Sequence, residues 1–406
     1  MAESMKDKVA IIGMGCSKFG ERWDVGFSDL IIEAAYEACQ DAGITPQDIE
    51  ASWVATSTRM GLGGIGSSVP GTGLTVAMPL KLDYKPVTRV ENACGGGEDC
   101  LRNASFGVAS KAYDVVMAIG IEKLKDQGFG GSGAEGGLPP HPVYEGQMRA
   151  PGMYALAATR YFQRYGIPPD EGKRLLAMIS VKSHYNGSRN PKAFFQKEVT
   201  IETVLNAPII SWPLGLFDCC GVADGAAAAI LCRAEDAKNF RDDFVLIKGL
   251  GLAIGPGQGG IRTDYDYTHW EETTRASQQA YAQAGITNPR KELDMVELHD
   301  CFSIAELIAA ESMGLCPTGE AKEDILSGAW TQEGEIPINL SGGLKSFGHP
   351  VGASGCRETY EVYKQLQGKA QNPSRQLKNP RMGMVHNQGG IPGKFMCAAA
   401  ILGLPE

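Results

Sequence analysis

The sequence predicts an α/β protein with a largely parallel sheet, built as two similar βαβ halves. Three observations predict it. Short β-branched apolar runs alternate with segments of helical periodicity through most of the 406 residues. The run at 244–249 and the helix over 273–284, stopped by Gly285, repeat the run at 9–13 and the helix over 27–42, stopped by Gly43. A cysteine follows a strand at a helix start in each half, Cys94 in the first and Cys301 in the second. Such a repeat brings equivalent turns to one end of the sheets.

Taken in order, residues 9–13 are a β-branched run ended by glycine, the pattern of a central parallel strand. The helix over 27–42 carries Leu30, Ile31, Ala34, Ala35 and Ala38 at helical spacing. Residues 51–56 form the next strand, a helix over 98–109 follows Cys94 and its three glycines, and 113–120 is a strand. Residues 122–212 differ in character: a Gly/Pro-rich segment precedes helices near 154–165 and 171–185, an insertion of the kind that covers an active site. Core composition returns at 224–231. In the second half, strands are expected at 244–249, 294–298, 336–340, 382–386 and 394–402, with helices over 273–284, 303–313 and 351–368. The domain boundaries expected are 1–121 and 213–240 for the first half, 122–212 for the loop domain and 241–406 for the second half.

Hydrophobic residues at 43% and charged residues at 21% allow a sizeable core. A net charge of −9 without a basic cluster argues against nucleic acid. Eleven cysteines in no regular framework indicate reduced thiols in a cytoplasmic compartment. No CxxC or HExxH occurs, so no metal site is expected. The N-terminal apolar run is too short for an export signal, and no segment approaches the roughly 18 residues that cross a bilayer, so no membrane association is expected.

Two stretches, 61–66 and 128–133, match G-x-G-x-x-G, but loop sequence follows each where a dinucleotide site needs a helix. Cys94 before a helix N-terminus stands where a dipole and free N–H groups favour a thiolate. Alone, it reads more readily as a small buried cysteine before a helix. The context supplies partners. His299 and Cys301 follow a strand, His349 lies in a Gly-His-Pro turn, and Asn387-Gln388-Gly389-Gly390 follows another strand. A thiolate nucleophile needs a base, a second acid and donors for an oxyanion, and all these residue types are present.

Cys94 with its glycines, His299-Asp300-Cys301-Phe302 and Gly348-His349-Pro350-Val351-Gly352-Ala353-Ser354-Gly355 together resemble the thiolase superfamily. Asp218-Cys219 and Asp224-Gly225-Ala226-Ala227-Ala228 are similar to it too, and the resemblance spans residues 9–402. The His-Asp-Cys-Phe form is similar to the branch of sterol carrier protein 2 thiolases and archaeal acetyl-CoA acetyltransferases. The resemblance implies a thiolase fold, two βαβαβ halves in five layers (α/β/α/β/α) with an inserted loop domain. It implies Cys94 as the acylated nucleophile, His349 as its base, and Cys301 as the second acid/base. His299 would support the oxyanion site, with the N–H groups of Cys94 and Gly389 as donors. Asn387 stands where many thiolases carry a second cysteine, which leaves that role to Cys301. Gly96 replaces a serine common in the nucleophile motif.

The implied reaction is cleavage of a 3-oxoacyl-CoA by CoA, with CoA as co-substrate and no tightly bound cofactor. The glycines after Cys94 and the segment 128–151 suggest an unusual acyl pocket. The chain resembles the large subunit of benzoylsuccinyl-CoA thiolases, which implies benzoyl-CoA and succinyl-CoA as products. A homodimer is implied, and a small zinc-ribbon/OB-fold subunit would complete a heterotetramer. Condensation of acetyl-CoA to acetoacetyl-CoA, and a catalytically inactive acyl-CoA-binding scaffold, are the competing readings.

Overall fold

The computed structural model describes residues 4–57, 73–127, 150–257, 259, 262 and 264–405. Both G-x-G-x-x-G stretches and residues 128–149 of the Gly/Pro-rich segment lie outside the described residues.

The apolar runs become strands β1 (Val9–Cys16), β2 (Ala51–Ala55), β3 (Val87–Val90), β4 (Val115–Lys123), β5 (Asp224–Arg233), β6 (Val245–Ile254), β7 (Met295–Leu298), β8 (Met382–Ile391) and β9 (Lys394–Gly403). They hydrogen-bond in the order β3-β2-β4-β5-β1-β6-β9-β8-β7. β1 is central, as its wholly buried residues predict, but it runs antiparallel to both neighbours. Only β2–β3, β2–β4 and β8–β7 pair in parallel. The expectation of a largely parallel sheet is corrected here. A continuous apolar run records burial on both faces, and that burial is the same whichever way the neighbour runs.

Read outward from the centre, the order is a palindrome. β1 matches β6, β5 matches β9, β4 matches β8 and β2 matches β7 in both position and pairing direction. The match for β3 is the stretch around Ile338, which joins β7 through one parallel bridge to Val296 instead of the full strand expected over 336–340. The two halves meet over two residue pairs, Ala10–Leu246 and Ile11–Val245.

Helices α1 (Phe27–Ala42), α2 (Gly96–Ala109), α3 (Ala150–Arg164), α4 (Pro169–Ser188), α5 (Glu271–Ala284), α6 (Ser303–Ser312) and α7 (Ser354–Leu366) complete the layers. α1 covers one face of the first half through Leu30, Ile31, Ala34 and Ala38. α5 and α6 cover the outer face of the second half, against Met384, Ala399 and Ile401. α2 and α7 lie between the two halves of the sheet, sharing one core with Val9, Ile11, Ala118, Ala229, Val385 and Ala400. The result is the five-layer arrangement.

Both outer contacts use one device. A Cβ on Gly13 or Gly15 of β1 would collide with the α1 backbone at Ala38 and Ala34, and on Gly249 or Gly251 of β6 with the α5 backbone at Ala280 and Ala276. Helix and strand therefore touch backbone to backbone in each half. Gly15→Ala and Gly251→Ala are each expected to cost about 1–3 kcal/mol by overpacking. Urea denaturation would measure both, with Gly26→Ala, where a Cβ finds ordinary contact at 3.4 Å, as the tolerated control.

Candidate active site

Cys94 is presented by a strained turn between β3 and α2. Ala93 has φ +48°, a left-handed conformation that costs a non-glycine residue on the order of 1 kcal/mol. The Gly95 N–H donates to Asn92 O and the Gly96 N–H to Ala93 O, both at 3.1 Å. Asn92 is itself fixed by donating to Asp99 Oδ2 at 2.6 Å. Cys94 thus precedes the N-cap Gly95 of α2, close to the expected place.

His349 comes from the turn that the palindrome sets opposite, the one leading into α7. It is therefore the counterpart of Cys94, and Cys301 is not. Cys301 follows β7, whose match is β2, whereas Cys94 follows the edge strand β3. The turns meet because the starts of α2 and α7 approach without side chains: a Cβ on Gly97 would lie 2.8 Å from Gly352 O and 2.9 Å from Gly355 N.

One ligand-capable atom from each of Cys94, His299 and His349 falls within a common 4.8 Å. Edges of about 3.4 Å in a tetrahedral zinc shell are tighter than that span, and no ion is needed to account for the cluster. The rings of His299 and His349 meet edge to face, centroids 5.2 Å apart. His349 Nδ1 lies 2.7 Å from Ser354 Oγ, and the Ser354 hydroxyl is 3.1 Å from Pro350 O. A hydroxyl has one proton. Given to Pro350, it leaves Ser354 to accept from His349 Nδ1–H, so Nε2 holds the lone pair. That nitrogen is buried with no partner among the described residues, as a base awaiting a thiol would be.

The expected thiolate is corrected. Burial pushes the Cys94 thiol up to about 12 and the Glu122 carboxylate adds to this, against hydrogen bonds from the Gly390 N–H and its own. Burial, helped by Arg357, pulls His349 down to about 3. The resting pair is a neutral thiol and a neutral imidazole. Dipole and N–H groups are outweighed by loss of solvent.

Cys301 is buried, and burial holds its thiol well above the ordinary range while a hydrogen bond from Tyr154 acts the other way. Tyr154, on α3, stacks on Phe302 at 4.5 Å and accepts from Gln388 Nε2 at 3.1 Å. The Cys301 turn is tied to the 343–346 turn by the Asp300–Lys345 pair at 2.7 Å, both side chains fully buried. Asn387 Nδ2 donates to Glu358 Oε2 at 2.9 Å and lies 3.4 Å from His299 Nδ1. A Cβ on Gly389 would lie 2.9 Å from Gly95 N, which sets that strand against the Cys94 turn. β8 runs on through Asn387 to Ile391 and does not stop at His386 as expected. All six residues singled out in the sequence thus gather at one place. Ser354, Tyr154, Glu122 and Glu358 were missed. Ser354 alone had a signal, inside the Gly-His-Pro stretch.

The glycines after Cys94 do not open an acyl pocket. The space beside Gly95 is taken by the Met396 side chain and that beside Gly97 by the backbone of 352–356. Only Gly96 leaves ordinary room, 3.7 Å to Ala55 Cβ. An apolar cavity of about 500 Å³ between α4 and residues 324–333 contains none of the site residues.

Sequence profiles agree with this geometry. The thiolase N-terminal domain matches residues 9–208 and the thiolase C-terminal domain-like family matches 258–403. An acetyl-CoA acetyltransferase of Methanothermobacter thermautotrophicus is 37% identical over 96% of this chain and 98% of its own length. Benzoylsuccinyl-CoA thiolase subunit BbsB of Thauera aromatica is 34% identical over 95% and 96%. Sterol carrier protein 2 of Gallus gallus is 29% identical over 100% of this chain and 73% of its own. The solved Ltp2-ChsH2(DUF35) aldolase has the same fold, with TM-score 0.82, 24% identity and 99% of each chain covered. Matches of this kind over both halves mark an acyltransferase. The chain belongs to the thiolase family, on its sterol carrier protein 2 thiolase-like branch. No helix among the described residues is long and apolar enough to cross a membrane.

Two outcomes are expected. Alkylation of Cys94 in substrate-free protein, followed on its own peptide by mass spectrometry, should still be rising at pH 10, where a low-pKa thiolate would have levelled off near neutrality. Behind the site, burial pushes Glu98 up to about 8 from 4.5, while Thr359 donates to it at 3.0 Å. A carboxyl raised in this way stabilises the fold fully below about 4.5 and loses that contribution as pH rises toward 8. The stability gained by Glu98→Gln in urea titrations should therefore be small at pH 5 and grow steadily to pH 8.

Proposed function

We propose that this chain catalyses the reversible, CoA-dependent cleavage of a 3-oxoacyl-CoA through an acyl-Cys94 intermediate. The convergence of Cys94, His299 and His349 within 4.8 Å, with His349 Nε2 unprotonated and unpartnered, carries the reading. In cleavage, His349 Nε2 takes the Cys94 proton as sulfur adds to the 3-keto carbon. The oxyanion is met by the His299 ring and by the N–H groups of Cys94 and Gly389. The C2–C3 bond breaks, its electron pair leaves as an acyl-CoA enolate, and Cys301 gives its proton to that carbon. A second CoA then attacks the thioester, its thiol proton passing to the Cys301 thiolate, and Cys94 leaves and takes its proton back from His349. Because both resting groups are neutral, the proton moves as the C–S bond forms, and no isolated ion pair is held in a dry site. CoA serves as co-substrate, with no tightly bound cofactor.

For the acyl group, the acetyl/acetoacetyl reading is supported by relatives named acetyl-CoA acetyltransferase at 37% and 38% identity, and by the filled space beside Gly95 and Gly97. Benzoylsuccinyl-CoA is the second reading, supported by the BbsB relative at 34%. A small zinc-ribbon/OB-fold partner is supported by the word subunit in that name and by the DUF35 component of the aldolase neighbour. The dimer rests on family resemblance.

The test is to weigh the Cys94 peptide after incubation with acetyl-CoA, acetoacetyl-CoA and benzoylsuccinyl-CoA, with sedimentation alone and beside a DUF35 protein. Cys94→Ser should give no adduct and no cleavage. Cys301→Ala should keep the acetyl adduct yet cleave about 10²–10⁴-fold more slowly. No adduct from any substrate, with no CoA-dependent cleavage, would leave the scaffold reading in its place.

A further inference from the structure

One interaction behind the site has no part in the steps above. His299 is buried, and of its two ring nitrogens Nδ1 faces Asn387 Nδ2 at 3.4 Å. The same amide nitrogen lies 2.9 Å from Glu358 Oε2. An amide nitrogen has two protons and no lone pair to offer, so both neighbours must accept. Glu358 is fully buried on α7, next to Arg357, which it approaches at 3.5 Å and which itself pairs with Glu297 at 2.9 Å. Burial raises the Glu358 carboxyl well above its ordinary range and Arg357 opposes this; with Oε2 as acceptor, Glu358 picks which end of the Asn387 amide points toward it and leaves the second N–H for His299.

We infer that Glu358 is a positioning residue that fixes the tautomer of His299 through Asn387, holding Nδ1 unprotonated and keeping the proton on Nε2. His299 is then a hydrogen-bond donor from the nitrogen turned away from Asn387. His349 has the opposite assignment, since Ser354 holds its Nδ1 proton. Two neighbouring neutral imidazoles therefore differ in kind: one can only receive a proton at its free nitrogen and the other can only offer one. This gives Asn387 a distinct purpose. A thiol in its place could not bridge a carboxylate and an imidazole with two N–H groups.

The competing arrangement is a protonated Glu358 that donates to a flipped Asn387, whose oxygen would then accept from His299 Nδ1–H. Histidine-selective ¹⁵N NMR of the full chain separates the two, with His299→Gln identifying the resonance. The expected result is a protonated Nε2 and an unprotonated Nδ1 at His299. Glu358→Leu should turn this into a mixture, and Glu358→Gln, whose carbonyl can still accept, should restore it. Asn387→Asp, able only to accept when ionised, should move the proton to Nδ1. This inference rests on the proposed reaction for its kinetic arm alone: Glu358→Leu should lower kcat about 10–100-fold with KM little changed, and Gln should recover it. A protonated Nδ1 in the wild-type protein, or a tautomer unmoved by Glu358→Leu, overturns the inference whether or not the chain is a thiolase. Correct tautomers in a protein without thiolase activity would instead remove the reaction and keep the clamp.

Discussion

The site depends on two helix starts that touch with nothing between their backbones. At Gly97 and Gly355 the N-terminal turns of α2 and α7 come together so closely that no Cβ fits. Any side chain there would push apart the turns that present Cys94 and His349, and with them the two halves of the sheet that sandwich the helices. The left-handed Ala93 is kept in place by the same crowding, since Gly389 of β8 presses on Gly95 from the other side. Strain at one residue is thereby supported by packing from both halves.

Electrostatics follow from this closeness. A junction made of backbone excludes water, and groups within it shift toward their neutral forms: Cys94 and Cys301 up, His299 and His349 down. Two buried acid–base pairs, Asp300–Lys345 and Glu297–Arg357, anchor the turns. The proposed reacting groups rest neutral, and the paired ones hold the turns in place.

The strand and helix limits were largely legible, because burial on two faces leaves continuous apolar runs, and α1 ends at Gly43 and α5 at Gly285, as the glycines indicate. Strand direction was not legible, since burial does not depend on it. The repeat was recognised but its register was misjudged: Cys301 looked like the mate of Cys94 because both are cysteines after strands, while the true mate is a histidine turn found only from pairing order. The six site residues came from a family resemblance on top of local chemistry. Their supports, Ser354, Tyr154 and Glu358, come from elements distant in sequence or lie on helix faces with no local signature. The glycine run was read as space, and only the positions of Met396 and α7 reveal that most of it is filled.

The palindrome of strands has a consequence for how this molecule can change. The proposed nucleophile and base come from opposite halves, so on that reading neither half contains a functional centre of its own. What is inherited is a junction. A shift of about 1 Å in either helix start alters the spacing of the pair as much as replacing a reacting group would. Drift in one half therefore has to be answered in the other, and the two halves are bound to evolve as a matched lock although β1 and β6 pair over just two residues each.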